Sequence, residues 1–295
     1  PNQITNNNMN IQSNAMLAQT SISMFGQSKK DKAESNKYAQ SHQTTTDSVR
    51  VVKTLFDKHD LAEIKCFATL ARNAHAKYTL PWNDQGQRLL PCSVFSEYTG
   101  WMAEYKSNFD FAVSEFVDKY DAILYRNKKR LNGLYKEDDY PSAEDIGKRF
   151  SMKSSVIPMP KSEDFRVNEL SDADIASIKK SYEVEVHDKI VDTQKDILNR
   201  LLEAISHMRD ILWDNEKIFH ASSNDKIEEL LKLAPQLNVM NDPDLADTIN
   251  KLQSLSLHKD DLKIARESPL ERTRMAKKCD KSVETIMNNL GGYIG

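Results

Sequence analysis

Apolar residues recur at three- and four-residue intervals over most of this chain, the spacing of one buried helical face. Val49, Val52, Leu55 and Phe56 predict a helix from about Asp47. Asp60 then has the position of an N-cap and restarts the pattern as Leu61, Ile64, Phe67, Ala68, Ala71, Ala74 and Tyr78, which Pro81 stops. From Ser93 to about Leu131, Phe95, Tyr98, Trp101, Met102, Tyr105, Phe109, Val113, Phe116, Val117, Tyr120, Ile123 and Leu124 predict a second helix with a broad aromatic face. That helix is the expected centre of the core, with Trp101 buried in it and Gly133 ending it. Ser142 caps a short helix reaching Phe150.

The longest pattern runs from Ser171 to Phe219 without Gly or Pro, and carries Ile175, Ile178, Tyr182, Ile190, Ile197, Leu201, Ile205, Met208 and Leu212 on a thin stripe. A helix of about fifty residues would extend ~75 Å, so the stripe is expected to lie on another helix or another subunit. Beyond it, Asn224 is expected to cap Lys226 to Leu233, and Asp242 with Pro243 to open a helix reaching Leu257. Pro235 and Pro269 read as breaks, and the stretch Leu270 to Leu290 as a last helix closed by a left-handed cap at Gly291-Gly292.

Period two intervenes briefly. Thr20 to Phe25 alternates as a short strand or anchoring contact, with Met24 and Phe25 docked, while Lys29 to Ser48 predicts a polar loop or weak helix. Val156 to Pro160 and Phe165 to Val167 predict a two-stranded ribbon, because proline forbids helix there. The segment Thr79 to Pro91, with two prolines, a Gly turn and a Trp, predicts a stiff, well-packed loop. The expected fold is mainly α: a helical bundle with a long extended helix in a coiled-coil-like hairpin, and a small β ribbon. Residues 1–46 form a polar arm, 47–170 a helical core region with the ribbon, and 171–295 the long-helix region.

Composition agrees with a helical, globular chain: of 295 residues 39% are hydrophobic and 29% charged, with only eight Gly and nine Pro. A net charge of −3 gives no large positive field, so nucleic-acid binding would need a local patch. Cys66, Cys92 and Cys279 are odd in number and widely spaced, which argues against a disulfide framework and suits a reducing interior. No stretch has the ~18 apolar residues needed to span a bilayer, and the start lacks a secretory layout, so no membrane association or export is expected.

Chemistry-bearing constellations are sparse. The seven histidines, at 42, 59, 75, 187, 207, 220 and 258, show no metal-ligand spacing. Asp188, Asp192, Asp196 and Glu203 on the long helix lack the Glu-x-x-His pairs of a di-metal bundle. No catalytic, cofactor-binding or metal-ligating residue is therefore assigned, and no enzyme is expected. Two basic clusters are candidate nucleic-acid contacts: Arg126, Lys128, Lys129 and Arg130, with Tyr125 and Tyr135 nearby to stack on bases, and a second that includes Arg266, Arg272, Arg274, Lys277, Lys278 and Lys281. Trp82 and Arg88 are candidate partner-binding residues on the Pro-bounded loop, against packing of Trp82 on the aromatic helix as the structural alternative.

The strings Gln12 to Leu17 (QSNAML), Thr79 to Pro91 (TLPWNDQGQRLLP), Asp139 to Phe150 (DYPSAEDIGKRF) and Pro158 to Val167 (PMPKSEDFRV) resemble a family of tailed-bacteriophage proteins, of cyanophage and vibriophage type, whose activity is uncharacterised. The resemblance covers about residues 12–180. It implies a phage protein made in the host bacterial cytoplasm, with residues 1–15 native. The long helix and the lack of an active-site constellation suggest a non-enzymatic oligomeric scaffold or adaptor, for which the resemblance implies a MoxR-like AAA+ ATPase as partner. A nucleic-acid-binding protein of phage replication or recombination is the alternative.

Overall fold

The computed structural model describes residues 11, 13–160, 171–214, 216, 217, 221–255, 263–266 and 268–293. Helices dominate, beside a four-stranded sheet and a two-stranded one. The chain forms two compact units: Pro1–Gln19, Ala76–Ser96 and Val156–Gly295 make one, Thr20–His75 and Glu97–Ser155 the other. We call them the long-helix unit and the aromatic unit. The larger sheet is built from Ala15–Ser23 (β1), Leu80–Pro81 (β4), Gln87–Pro91 (β5) and Ser151–Pro158 (β6), in the order β4-β5-β1-β6.

In the aromatic unit, Asp31 caps a helix Lys32–Ser41 (α1), its side chain accepting from the Glu34 N–H at 3.2 Å. The polar stretch is thus a capped helix, where the sequence left loop and weak helix open. The helix expected from Asp47 is absent. Of its residues Val52 lies instead in the strand Val52–Thr54 (β3), antiparallel to Ser28–Lys30 (β2), because Val and Thr suit a pleated strand and burial of Lys53 needs that pairing. Asp57 rather than Asp60 caps the following 3-10 turn Lys58–Leu61, with Asp60 bonding back to the Asp57 N–H at 2.9 Å. That turn runs into Ala62–Tyr78 (α2).

The aromatic helix is two helices, Phe95–Asp118 (α3) and Tyr120–Leu131 (α4), broken at Lys119, and the chain leaves α4 through a positive φ at Asn132 rather than at Gly133. Tyr98, Met102, Phe109, Phe116, Tyr120 and Ile123 are buried as expected. Phe56 sits among Phe25, Phe116, Tyr120 and Tyr140, with ring centroids 5.5–6.3 Å away, mostly edge-on. Trp101 is not in this core: it is 38% exposed and stacks on Tyr105 at 5.7 Å. Ser142 caps Ala143–Ile146 (α5), which a 3-10 turn extends to Arg149.

In the long-helix unit, the stiff loop is a hairpin. β4 and β5 pair antiparallel with Leu80 opposite Leu89, and β1 adds to β5 with Leu17 also opposite Leu89. Asn83 closes the connection by accepting from the Gln85 and Gln87 N–H groups at 3.1 and 3.0 Å, and Gly86 supplies a φ of +86° that other residues resist. The expected ribbon is corrected: β6 joins the larger sheet, and its expected partner Phe165 to Val167 lies outside the described residues.

The long helix is continuous from Asp172 to Trp213 (α6), capped by Ser171. Its stripe from Val186 to Leu212 is buried within its own unit, by Ala221–Leu237 (α7) and Pro269–Gly292 (α9). A second copy is therefore not needed to cover that part of the stripe, and Pro243–Leu255 (α8) packs with α7 and α9 in the same unit. Asn224 lies inside α7, bonded to Glu228 at 2.9 Å, and Pro235 is carried in the last turn of α7. Asp242 caps α8 at 2.9 Å from both the Asp244 and Leu245 N–H groups. Pro269 opens α9 behind the cap Ser268, and α9 runs through Gly291 and Gly292 without a left-handed residue. No described helix is long and apolar enough to cross a membrane.

Arg272 of α9 closes the far end of α6. It donates to the Ile211 and Leu212 carbonyls of the last turn of α6, which a helix C-terminus leaves unpaired, at 2.7 and 2.9 Å, to that of the cap residue Asp214, and to that of Lys217 beyond it at 2.8 Å. Arg272→Ala should lower stability by about 2 kcal/mol, the scale of charge-assisted bonds partly replaced by water. Urea unfolding monitored by circular dichroism measures this, and Arg272→Lys should recover only part because one ammonium cannot span the four carbonyls.

Candidate interaction faces and charged clusters

One face of α3 points away from the aromatic core. Glu97, Trp101, Glu104, Asn108, Phe111 and Glu115 recur at alternating four- and three-residue steps, which gathers them in an arc of about 80°. Phe111 is 66% exposed and Trp101 38%, so two aromatic rings about 15 Å apart along the axis stand in water among three carboxylates. Apolar ring surface in water is unfavourably hydrated, a cost that a covering surface relieves, and Trp is enriched where binding energy concentrates. The sequence carried a signal for this face: α3 has aromatics on more than one side, and a single core can take only one.

A buried charge cluster lies in the same unit. Lys53, 3% exposed, pairs with Asp31 at 3.1 Å and with Asp139, and donates to the Leu134 carbonyl at 3.2 Å. Lys29 reaches Asp139 at 2.8 Å and Lys136 reaches Asp31 at 3.2 Å. The Glu34 backbone N–H and then Lys53 hold the Asp31 carboxyl well below the usual carboxylate range. Burial pushes the Asp139 carboxyl up, but Lys29 and Lys53 outweigh it and leave it lowered. Burial likewise opposes the Lys53 charge, and Asp139 and Asp31 more than compensate. The cluster ties β2, β3 and the start of α1 to the segment 134–139. With every charge paired, it is a joint of the fold.

The two residues singled out on the hairpin are tied into the long-helix unit. Trp82 is 8% exposed with the Lys189 ammonium 5.5 Å from its ring centroid. Arg88 donates to the Thr79 hydroxyl at 2.7 Å and the Thr79 carbonyl at 3.0 Å, and Arg200 donates to that carbonyl at 2.7 Å. Asp196 balances Arg200 at 2.7 Å. Burial and then Arg200 lower the Arg88 pKa, while burial raises that of Asp196 against the pull of both arginines. These groups hold the hairpin to α6 through the Thr79 carbonyl.

The structure separates the basic candidates. Arg126 is paired with Asp57 and Asp60. Arg130 donates to the Thr54 carbonyl at 2.8 Å, beside Asn127, which donates to the Leu55 carbonyl at 2.7 Å. Lys128 and Lys129 lie over Tyr135 and Tyr125 at 5.9 and 4.3 Å, so the rings expected to stack on bases hold lysines of their own cluster. Arg272 is the helix closure described above. Arg274, Lys277, Lys278 and Lys281 line one side of α9, along a groove of about 600 Å³ that Leu270, Glu271 and Thr273 complete. Among the described residues, no group of three or more His, Cys, Asp or Glu side chains is placed to hold a metal ion.

No protein-family model, curated protein or solved structure matches this chain.

Proposed function

We propose that the protein is a non-catalytic phage adaptor or scaffold, whose working surface is the exposed face of α3. The observation that carries this is the pair Trp101 and Phe111, held in water on a rigid helix along one seam, with Glu97, Glu104 and Glu115 between and beside them. A helix that presents aromatic rings beside carboxylates, of which Glu115 already pairs with Lys119 at 2.8 Å, fits a partner helix or groove whose apolar pockets dehydrate the rings. A MoxR-like AAA+ ATPase is the partner class that the phage resemblance implies. Self-association through the same face is the form in which an oligomeric scaffold would use it.

The double variant Trp101→Ala/Phe111→Ala tests the reading. Phe111 is largely in water and Trp101 loses its stacking on Tyr105, so the variant should stay folded with a stability loss of about 1–2 kcal/mol, read as a lower melting temperature with an unchanged circular dichroism spectrum. Its affinity for the ATPase, or its self-association followed by light scattering at micromolar concentration, should fall at least ~30-fold, the loss of one hot-spot contact of about 2 kcal/mol. A parent protein that stays monomeric and does not bind the ATPase, or a variant that associates as tightly as the parent, refutes it.

A further inference from the structure

On α9, Arg274, Lys277, Lys278 and Lys281 occupy one side of a straight, capped helix over about 10 Å of its axis. Arg274 shares its charge with Glu271 at 3.4 Å. Among the described residues Lys277, Lys278 and Lys281 have no acidic side chain within ion-pairing distance, although Glu284 stands at the edge of the stripe. This sets them apart from the other basic cluster, where Arg126 and Arg130 are engaged by carboxylates and backbone carbonyls. Unspent ammonium groups in a row, with hydrated heads and stems along a groove, are the arrangement that exchanges condensed counterions for phosphates. The overall charge of −3 does not forbid it, because at physiological salt charges more than ~8 Å away are largely screened.

From this geometry we infer that the α9 face is a binding site for the sugar–phosphate backbone of duplex DNA, without sequence preference. A single strand fits less well. Recognition of unpaired bases uses aromatic platforms, and the residues lining this groove are Leu270, Glu271, Thr273 and the four cations. Three of the four cations are lysines, which meet phosphates as point charges, and the one guanidinium, Arg274, is shared with Glu271 at 3.4 Å, so the contact is with phosphates and the affinity is of the non-specific class. This inference is independent of the α3 face, since it rests on a different unit and different residues.

Fluorescence polarisation of the full chain with a labelled duplex of about 20 base pairs and random sequence, titrated between about 50 and 200 mM NaCl, decides the matter. The expected result is a dissociation constant in the micromolar range at low salt, with log K falling against log salt at a slope of about −2.7 to −3.6, three to four phosphates neutralised. Lys277→Glu/Lys278→Glu/Lys281→Glu should weaken binding at least tenfold with an unchanged circular dichroism spectrum. Lys128→Glu/Lys129→Glu, on the tied cluster, should change it less than twofold. If that triple variant unfolds, the single change Lys277→Gln should flatten the salt slope by about one. No retention at ~50 mM salt overturns the inference. So does a salt slope near zero, a preference of more than tenfold for single strands, or displacement of the duplex by polyglutamate at equal charge, which would mark the face as a dock for acidic protein.

Discussion

Lys53→Ala is expected to destabilise the aromatic unit by about 3 kcal/mol, the low end of what removing one partner from a buried ion pair costs. Lys53 is the hub of the cluster: it contacts Asp31, Asp139 and the Leu134 carbonyl, and its side chain is almost wholly out of water. Without it, Asp31 keeps Lys136 and Asp139 keeps Lys29, which is why the loss stays below the upper range. The cation shared by both carboxylates is gone, and the two acids remain in a poorly solvated site.

The pH dependence identifies the origin of that loss. Asp31 and Asp139 have folded pKa values below their ordinary ones, so their contribution is present above the unfolded value of about 3.9 and disappears as pH falls through the folded values. Lys53 is shifted upward, so its contribution is complete below about 10.4 and is lost as pH rises through its folded value. The gap between parent and Lys53→Ala should therefore be widest near neutrality and shrink as pH is taken from about 5 towards 2. Urea midpoints measured across that range test it, and a gap independent of pH would mean that lost packing alone is responsible. Asp31→Asn/Lys53→Met/Asp139→Asn should be much less damaging than Lys53→Ala, because it removes the charges together while an asparagine in place of Asp31 can still cap α1.

Phe56→Ala should cost the same unit about 3–5 kcal/mol. The ring is fully buried and meets four aromatic neighbours: Phe116 at 5.5 Å, Tyr140 at 5.7 Å, Phe25 at 5.9 Å and Tyr120 at 6.3 Å. Three of the four contacts are edge-on, the geometry in which a ring quadrupole is attractive beyond area burial. Deleting the ring empties a space bounded by stiff planar groups on separate elements, which cannot all collapse into it. Phe56→Leu, which fills most of the volume, should cost roughly half as much. A lower denaturant midpoint at unchanged m-value is the signature, and a shift under ~1 kcal/mol would show that the cluster repacks.

Much of the helical architecture was readable before any fold was known. The Ser171 cap, the long run without Gly or Pro that follows it (expected to reach Phe219, ended at Trp213 in the structure), the start of α5 behind Ser142 and the Asp242-Pro243 opening of α8 are local events. Each depends on hydrogen bonds within four residues and on a period that no neighbour changes. Where local pattern misled, a distant partner had decided. Val52 to Thr54 carries helical spacing but becomes a strand, since pairing with Ser28 to Lys30 puts Lys53 between two aspartates far away in sequence. The hairpin at Leu80 to Pro91 was recognisable as stiff, yet its register needed β1, far earlier in the chain, to lie against it.

The candidate surfaces divide in the same way. The basic side chains were visible as a set, but a set does not distinguish Arg272, consumed by the carbonyls that end α6, from Lys277, which faces a groove. Trp101 matched the helical stripe and still lies outside the core, because Tyr98, Met102, Phe109 and Phe116 fill the inward arc of α3 and leave no room for another large ring. That the chain is mainly helical, that a long rod begins at Ser171 and that helices open behind Ser142 and Asp242 were determined by the chain alone, through short-range bonding and periodicity. Which face of each helix is covered, which charges neutralise each other and which rings stay in water were decided only by the tertiary structure, because those outcomes depend on the volume and charge that remote segments bring to the same place.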